Sequence, residues 1–258
     1  MQPELREALS DNSVGIEDGH IYFLYRPIRT EAHGLRDVNF LSIVMHPLTE
    51  KKYRLISLDA SRLPAEGDTF NFVTGVVEKV DSKPRVIQHR LGPLFREAQG
   101  EPVVGQAAAR ACAEGTYSLI HFEDGIHLVY IVEIPSVEFS VQKELEIHER
   151  GNFLLGIFNP YYGSPTEEEE AQPDFPRYPD DLRLRLGEDR IVFHDTPGYL
   201  DVEYTRISLY RSDSESAVKI SSELHPLADT YQTADIFRDL GLRQKTFPVD
   251  PLFHGTWV

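Results

Sequence analysis

The sequence predicts an α+β protein, mainly antiparallel β, with two related β-rich units packed together and a few short helices. Three observations carry this. An apolar run ending in proline occurs at residues 40–47 and again 88 residues later at 128–135, closing on Pro47 and Pro135. Each run follows a strand-like segment introduced by a glycine, Gly19 or Gly115, and precedes another apolar run, at 53–58 or 153–158. Asp124-Gly125 stands between two apolar runs, which is the strongest local signal for a hairpin.

The elements follow in order. Residues 3–10 read as a short helix, with Pro3 in its first turn and Leu5 and Leu9 one turn apart. Residues 20–25 are rich in aromatic and β-branched side chains, so they read as a strand ended by Pro27. Residues 38–45 and 53–58 form a hairpin, because only a short turn joins them. Residues 70–80 are β-branched and read as strand, with an end at 76–80 that also suits a helix.

Three prolines break residues 81–114, and the Ala-rich stretch 106–113 reads as a helix stopped by Gly115. Residues 117–122 and 126–134 are the arms of the Asp124-Gly125 hairpin. Val137, Val141 and Leu145 recur at four-residue spacing, the pattern of an amphipathic helix. Strand 153–158 follows.

Residues 161–181 combine prolines with the run Glu167 to Glu170, and read as a solvated acidic loop. Residues 182–186 and 190–194 flank Gly187 and read as a second hairpin; 202–210 reads as a strand apolar on both faces. Residues 212–222 are polar and read as flexible. Thr233 to Leu240 reads as a helix with Thr233 as N-cap and Gly241 after its end. Its apolar spacing, at 235–242, echoes that of 140–147. The predicted division is therefore a first β-rich unit at 1–100, a connector at 101–114, a second unit at 115–211 with the acidic loop at 161–181, and a C-terminal extension at 212–258 with one helix.

The net charge is −16, from 42 acidic against 26 basic residues. Such a surface repels nucleic-acid backbones and anionic lipid, so the sequence argues against nucleic-acid and membrane partners. No apolar run reaches the 20 or so residues a bilayer needs. One cysteine, Cys112, cannot form an internal disulfide, and the first residues lack a secretory pattern. A reduced, cytoplasmic location is expected.

Motifs for chemistry are absent. There is no Gly-x-Ser-x-Gly, phosphate loop, Cys-x-x-Cys or His-Glu-x-x-His. No metal or cofactor is expected, and no catalytic residue is assigned. Cys112, in its Ala-rich stretch, reads as an inert buried thiol.

Five residues are candidates for binding. His121 and His127 sit on the two arms of one hairpin. A two-residue Asp124-Gly125 loop would turn them to opposite faces, and a three-residue loop with a bulge would set them opposite each other. Tyr161 and Tyr162 leave a strand on a loop, and Trp257 is a large apolar residue suited to docking on its own chain or on a partner. His194 with Asp195, and Asp201 with Glu203, place carboxylates near an imidazole, but neighbours on a strand face apart.

The function these features favour is non-enzymatic: a protein-binding or scaffold role, with a protein partner or self-association into a homo-oligomer. An enzyme or small-molecule site at the junction of the two β units is the alternative. An acidic DNA mimic is the third reading.

Overall fold

The computed structural model describes residues 14–98, 101–194, 197–212 and 234–258. Eight antiparallel strands close into a barrel. They are β1 (Val14–Pro27), β2 (Val38–Pro47), β3 (Tyr53–Leu58), β4 (Phe72–Asp81), β7 (Arg110–Phe122), β8 (Gly125–Ile134), β9 (Arg150–Phe158) and β11 (Arg206–Arg211). The order around the wall is β1-β2-β3-β4-β11-β9-β8-β7, and β7 pairs with β1 to complete it. Two-residue β10 (Ile191–Val192) continues the wall beside β9, past the end of β8. A separate hairpin is made by β5 (Leu94–Ala98) and β6 (Glu101–Gln106). The helices are short: α1 (Pro84–Leu91), α2 (Ser140–Glu144), α3 (Glu167–Glu170), α4 (Asp180–Arg185), α5 (Asp235–Asp239) and α6 (Asp250–Phe253).

The two segments that carry the sequence echo build one barrel with one interior. Strands β1 to β4 are four adjacent staves, and β7, β8, β9 and β11 are the other four. The echo is not kept in register. Gly19 faces Pro47 across β1 and β2, whereas Gly115 faces Val132 and Pro135 lies beyond Ile134, the partner of Glu114. Both glycines are sites of close approach. A Cβ on Gly115 would lie 1.8 Å from the Ile131 carbonyl oxygen, and one on Gly19 would lie 2.4 Å from that of His46.

Alternation of side chains along the strands makes two cores. Inside the barrel, Ile21, Phe23, Tyr25, Leu41, Ile43, Ile56, Leu119, Leu128, Leu155, Ile207 and Leu209 meet in one cluster. Val141 and Leu145, on α2 and just after it, join that cluster from one end, and Tyr199 and Leu200 from the other. The alternate residues Tyr22, Leu24, Val44, Tyr53 and Leu55 point outward. They are covered by Ile87 and Leu91 of α1, Ile236 of α5 and the following Leu240, Phe247 and Leu252. Strands β1, β2 and β3 are thus buried on both faces, which explains their near-continuous apolar runs.

Several expected elements differ. Residues 182–186 are not a hairpin arm: Asp180 and Asp181 open a helical turn after Pro179, and Leu184 projects into solvent. Acids in a first turn suit the helix dipole, which outweighs the Arg-Leu alternation. The Ala-rich stretch is not a helix either; Arg110 begins β7, and Ala111 and Ala113 are small because both faces of this strand are packed. Inside the acidic loop, Thr166 caps α3 with a reciprocal bond to Glu169. The strand expected at 202–210 begins at Arg206, after a turn in which Tyr204 has φ 69°. The expected end of 70–80 stays in β4. The expectations for residues 3–10 and 213–222, and the proposed cap Thr233, lie outside the described residues.

Candidate functional site

Antiparallel pairing of β1 with β2 sets His20 directly opposite His46. Both side chains therefore leave the same, outer face, and their ring centroids are 6.1 Å apart. That face is the one covered by α5, and α5 is placed by the wall itself. Glu114 of β7 is buried, and its carboxylate accepts the backbone N–H groups of Asp235 at 3.0 Å and Ile236 at 3.1 Å. It acts as a helix cap supplied from another element.

Docked this way, α5 sets two carboxylates one turn apart over the two imidazoles. His46 Nδ1 is 3.1 Å from Asp239 Oδ2, and His20 Nδ1 is 3.4 Å from Asp235 Oδ2. The Tyr22 hydroxyl donates to Asp239 Oδ2 at 2.7 Å, and the His46 ring stacks on Tyr53 at 4.2 Å. Burial works against charge on Asp239, but hydrogen bonds from His46 and Tyr22 overcome it and hold the carboxyl down to about 2. Burial, and then Asp239 itself, push the Tyr22 phenol far up, so it is a permanent donor.

A carboxylate on Nδ1 favours the tautomer with its proton there and leaves Nε2 as the working nitrogen. Neither Nε2 has a hydrogen-bond partner among the described residues. The two side chains are 22% and 19% exposed, enough to meet a ligand. They open on a cleft of about 380 Å³ shared with Leu48, Lys51, Arg238 and Asp239. Arg238 bonds to both Asp235 and Asp239 while its side chain stays 69% exposed. Glu50 also faces the cleft, and Lys52 holds its carboxylate.

A second polar cluster closes one end of the barrel interior. Arg54 is 1% exposed; its guanidinium bonds twice to Glu17, at 2.6 and 2.9 Å, and once to Asp201 at 2.7 Å. The Tyr117 hydroxyl adds a 2.6 Å bond to Glu17. Burial opposes the Arg54 charge, but the two carboxylates more than offset it and push its pKa up. Lys52 adds a second cation, bonding Asp201 at 2.6 Å, so both carboxylates are paired and the cluster acts as a strut.

The residues singled out from sequence fall elsewhere. The β7–β8 hairpin turns on Glu123-Asp124, with Phe122 opposite Gly125. His121 is then opposite Ile126 and His127 opposite Ile120, on opposite faces, so the two do not pair. Gly125 takes φ 140°, which moves it out of the loop and into the ladder. His127 is fully buried between Asn152 Oδ1 at 2.9 Å and Asp124 Oδ1 at 3.0 Å. His121 is exposed at the edge of a different cleft, beside Ile16 and Arg185. Tyr161 lies under the Arg183 guanidinium at 4.1 Å and against Phe175, while Tyr162 is exposed.

Trp257 docks on its own chain. Its ring meets the edge of Tyr25 at 5.1 Å and its Nε1–H donates to Glu144 at 3.3 Å. Cys112 is buried, its thiol donating to the Phe23 carbonyl, and burial pushes it up. Asp201 and Glu203 are committed to Arg54 and Lys79, and Asp195 lies outside the described residues.

Sequence reasoning missed His20, His46, Asp235 and Asp239. The local signal is weak: each histidine borders an apolar stretch of a strand that carries other polar residues too, and their pairing exists only in the β1–β2 register. Among the described residues, no group of three His, Cys, Asp or Glu is arranged to hold a metal ion, and no helix is long and apolar enough to cross a membrane. No protein-family model, curated protein or solved structure matches the chain.

Proposed function

We propose that the chain binds a small polar molecule in the cleft of His20 and His46 and acts on it by proton transfer through the two imidazoles. One observation carries the reading. Two histidines share a face with ring centroids 6.1 Å apart; Asp239 hydrogen-bonds His46 Nδ1, and Asp235 of the same short helix faces His20 Nδ1 at 3.4 Å, with Nε2 left for a ligand. A lone buried histidine needs one partner for its own satisfaction; two parallel carboxylate–imidazole pairs at the wall of one cleft supply a base and an acid side by side. Ring-nitrogen NMR of ¹⁵N-histidine protein tests this against a set of metabolite-sized ligands. A ligand should move the Nε2 signals of His20 and His46 together, and His46→Asn should lose the response. Silence of both imidazoles across the whole set removes the reading.

A second reading, contact with a protein partner or a second copy, is supported by an aromatic strip on the outer wall. Phe70 is 68% exposed and meets Phe72 at 6.0 Å, Phe72 meets Tyr210 at 4.9 Å, and Tyr210 meets Phe193 at 5.7 Å. Phe70 is the exposed end of this strip and the other three are partly buried; contiguous aromatics with an exposed member suit a contact surface. Light scattering after size exclusion, on wild type and Phe70→Asp, tests self-association; a monomer at all concentrations in both removes that form of it. The single cysteine fits either activity in a reduced, cytoplasmic setting.

A further inference from the structure

We infer that the substrate of the His20–His46 cleft is a phosphodiester of about nucleotide size, cleaved in line between the two imidazoles. The inference rests on the acid–base reading of the same cleft and names its substrate class.

The arrangement of the histidines selects the reaction. In acyl transfer one imidazole serves both the nucleophile and the leaving group. In-line displacement at phosphorus separates them, with the attacking and departing oxygens on opposite sides. Two imidazoles on neighbouring strands, with ring centroids 6.1 Å apart, are close enough for both Nε2 atoms to serve one tetrahedral centre seated in the cleft in front of them, one as proton acceptor and one as donor. Among the described residues that line the cleft there is no serine or cysteine, the usual acyl nucleophiles.

Charge selects the group. Lys51 and Arg238 stand at the mouth. Arg238 bonds Asp239 through Nε and Asp235 through Nη2, which leaves its Nη1 to meet a phosphoryl oxygen. Glu50, also at the mouth, is paired with Lys52, which it shares with Asp201. Size and net charge select the molecule. A cleft of about 380 Å³ suits a small ligand, and a chain of net charge −16 repels a long polyanion.

The step balances without any oxidant or reductant. An oxygen of water, or of a neighbouring substrate hydroxyl, attacks phosphorus and loses its proton to one neutral Nε2. The P–O bond on the far side breaks with its electron pair. The departing oxygen takes the Nε2 proton of the other, protonated imidazole. Water gives a monoester and an alcohol; an internal hydroxyl gives a cyclic diester and an alcohol. Exchange of one proton with solvent resets the pair. Asp235 and Asp239 are positioning residues, and Arg238 and Lys51 hold the phosphoryl oxygens.

The test uses the full chain with bis(p-nitrophenyl) phosphate and a 2′,3′-cyclic nucleotide as substrates, p-nitrophenyl acetate as the acyl control, EDTA throughout, and inorganic phosphate as the NMR probe. Phosphodiester turnover should exceed acetate turnover. His20→Asn and His46→Asn, which keep an N–H for the α5 carboxylates, should each lose about 10²- to 10⁴-fold in kcat. Arg238→Ala should raise KM about tenfold, as loss of one charged hydrogen bond does. Asp239→Asn should lower kcat with little change in KM and reshape the pH profile. The groups that share the cleft and its walls in that profile are Tyr22, Tyr53, Glu50, Lys51, Asp235, Arg238 and the two histidines. Circular dichroism confirms that each variant is folded.

Turnover unchanged in both histidine variants overturns the inference, as does a preference for acetate. Absence of any phosphate effect, while another ligand moves both Nε2 signals, overturns the phosphodiester and leaves the acid–base site. Silence of both imidazoles to all ligands removes the two together.

Discussion

Glu114 holds the backbone of Ile236 from across the barrel wall, its Oε2 accepting the Ile236 N–H at 3.1 Å while Oε1 accepts that of Asp235. A strand residue 122 positions away thus fixes where α5 begins. That cap, together with the burial of Ile236, sets the α5 carboxylates over His20 and His46.

Glu114→Gln should therefore loosen α5 before it unfolds the barrel. One amide oxygen can still accept, but the charge-assisted pair is lost. The expected cost is about 1–3 kcal/mol by urea unfolding, in the range for buried hydrogen bonds to charged groups. Hydrogen exchange should show the amides of residues 235–240 losing protection while those of β2 and β3 keep theirs. Equal loss in both would mean that α5 and the barrel open as one unit.

Asp239 makes acid stability a readout of the cleft. Its folded value, about 2, lies below the unfolded aspartate value of about 3.9. A depressed carboxylate contributes its stability above about pH 4 and loses it as the pH falls through about 2. The wild type should weaken steeply across that window. Asp239→Asn should be less stable at neutral pH and should flatten the window; an unchanged slope would place the acid-sensitive group elsewhere.

Arg54 gives the opposite kind of prediction. Arg54→Met leaves Glu17 buried against Tyr117 without its guanidinium, and the expected loss is about 3–5 kcal/mol in thermal or urea unfolding. Adding Glu17→Gln should restore part of it, because the uncompensated charge is then gone. A double variant as unstable as the sum of the singles would show that the two residues act independently.

Trp257 is the single tryptophan, so its emission reports on the docked tail alone. Trp257→Phe should keep the contact with Tyr25 and lose the bond to Glu144, at a cost under about 1 kcal/mol. Trp257→Ala should lose both, and about 1–2 kcal/mol for a half-buried ring. Glu144→Ala should red-shift the emission as the indole gains water; an unmoved spectrum would mean that the tail is held by Tyr25 and the Val258 backbone without it.

Gly115→Ala should break the seam between β7 and β8. The added Cβ would meet the Ile131 carbonyl oxygen at 1.8 Å, and the contact is with the backbone of Ile131 and Val132, which cannot rotate away as a side chain could. Expression of folded protein should fall sharply, while Gly187→Ala, in open space at φ 61°, should cost only about 1 kcal/mol of backbone strain.

The amino-acid sequence determined what is local. Period and turn chemistry located β2, β3, β8 and α2 within a few residues, but only the C-terminal parts of β1 and β7, which begin at Val14 and Arg110 and not at 20 and 117. Local pattern failed where two rules competed. At 182–186 the alternation of Arg and Leu obscured a helical turn set by Pro179, Asp180 and Asp181. At 106–113 alanine, a good helix former alone, was chosen for small size between two packed faces. Even the apolar echo at residues 40–47 and 128–135, real as a pattern, carries no register, because spacing along a strand does not say which residue stands across from it.

Only the tertiary structure decided the rest. Closing eight strands into one barrel fixed which face of β1 is outside, and a shift of one residue would have turned His20 inward. The β1–β2 pairing put His20 beside His46, and a capping bond from Glu114 brought Asp235 and Asp239 from some 190 to 220 positions away in the chain. Such a site has no motif because its two imidazoles and the carboxylates that face them come from three separate segments, β1, β2 and α5. Its members are joined by strand register and helix docking, which are settled by burying Tyr22, Leu24 and Ile236 together and not by any local preference of the histidines themselves.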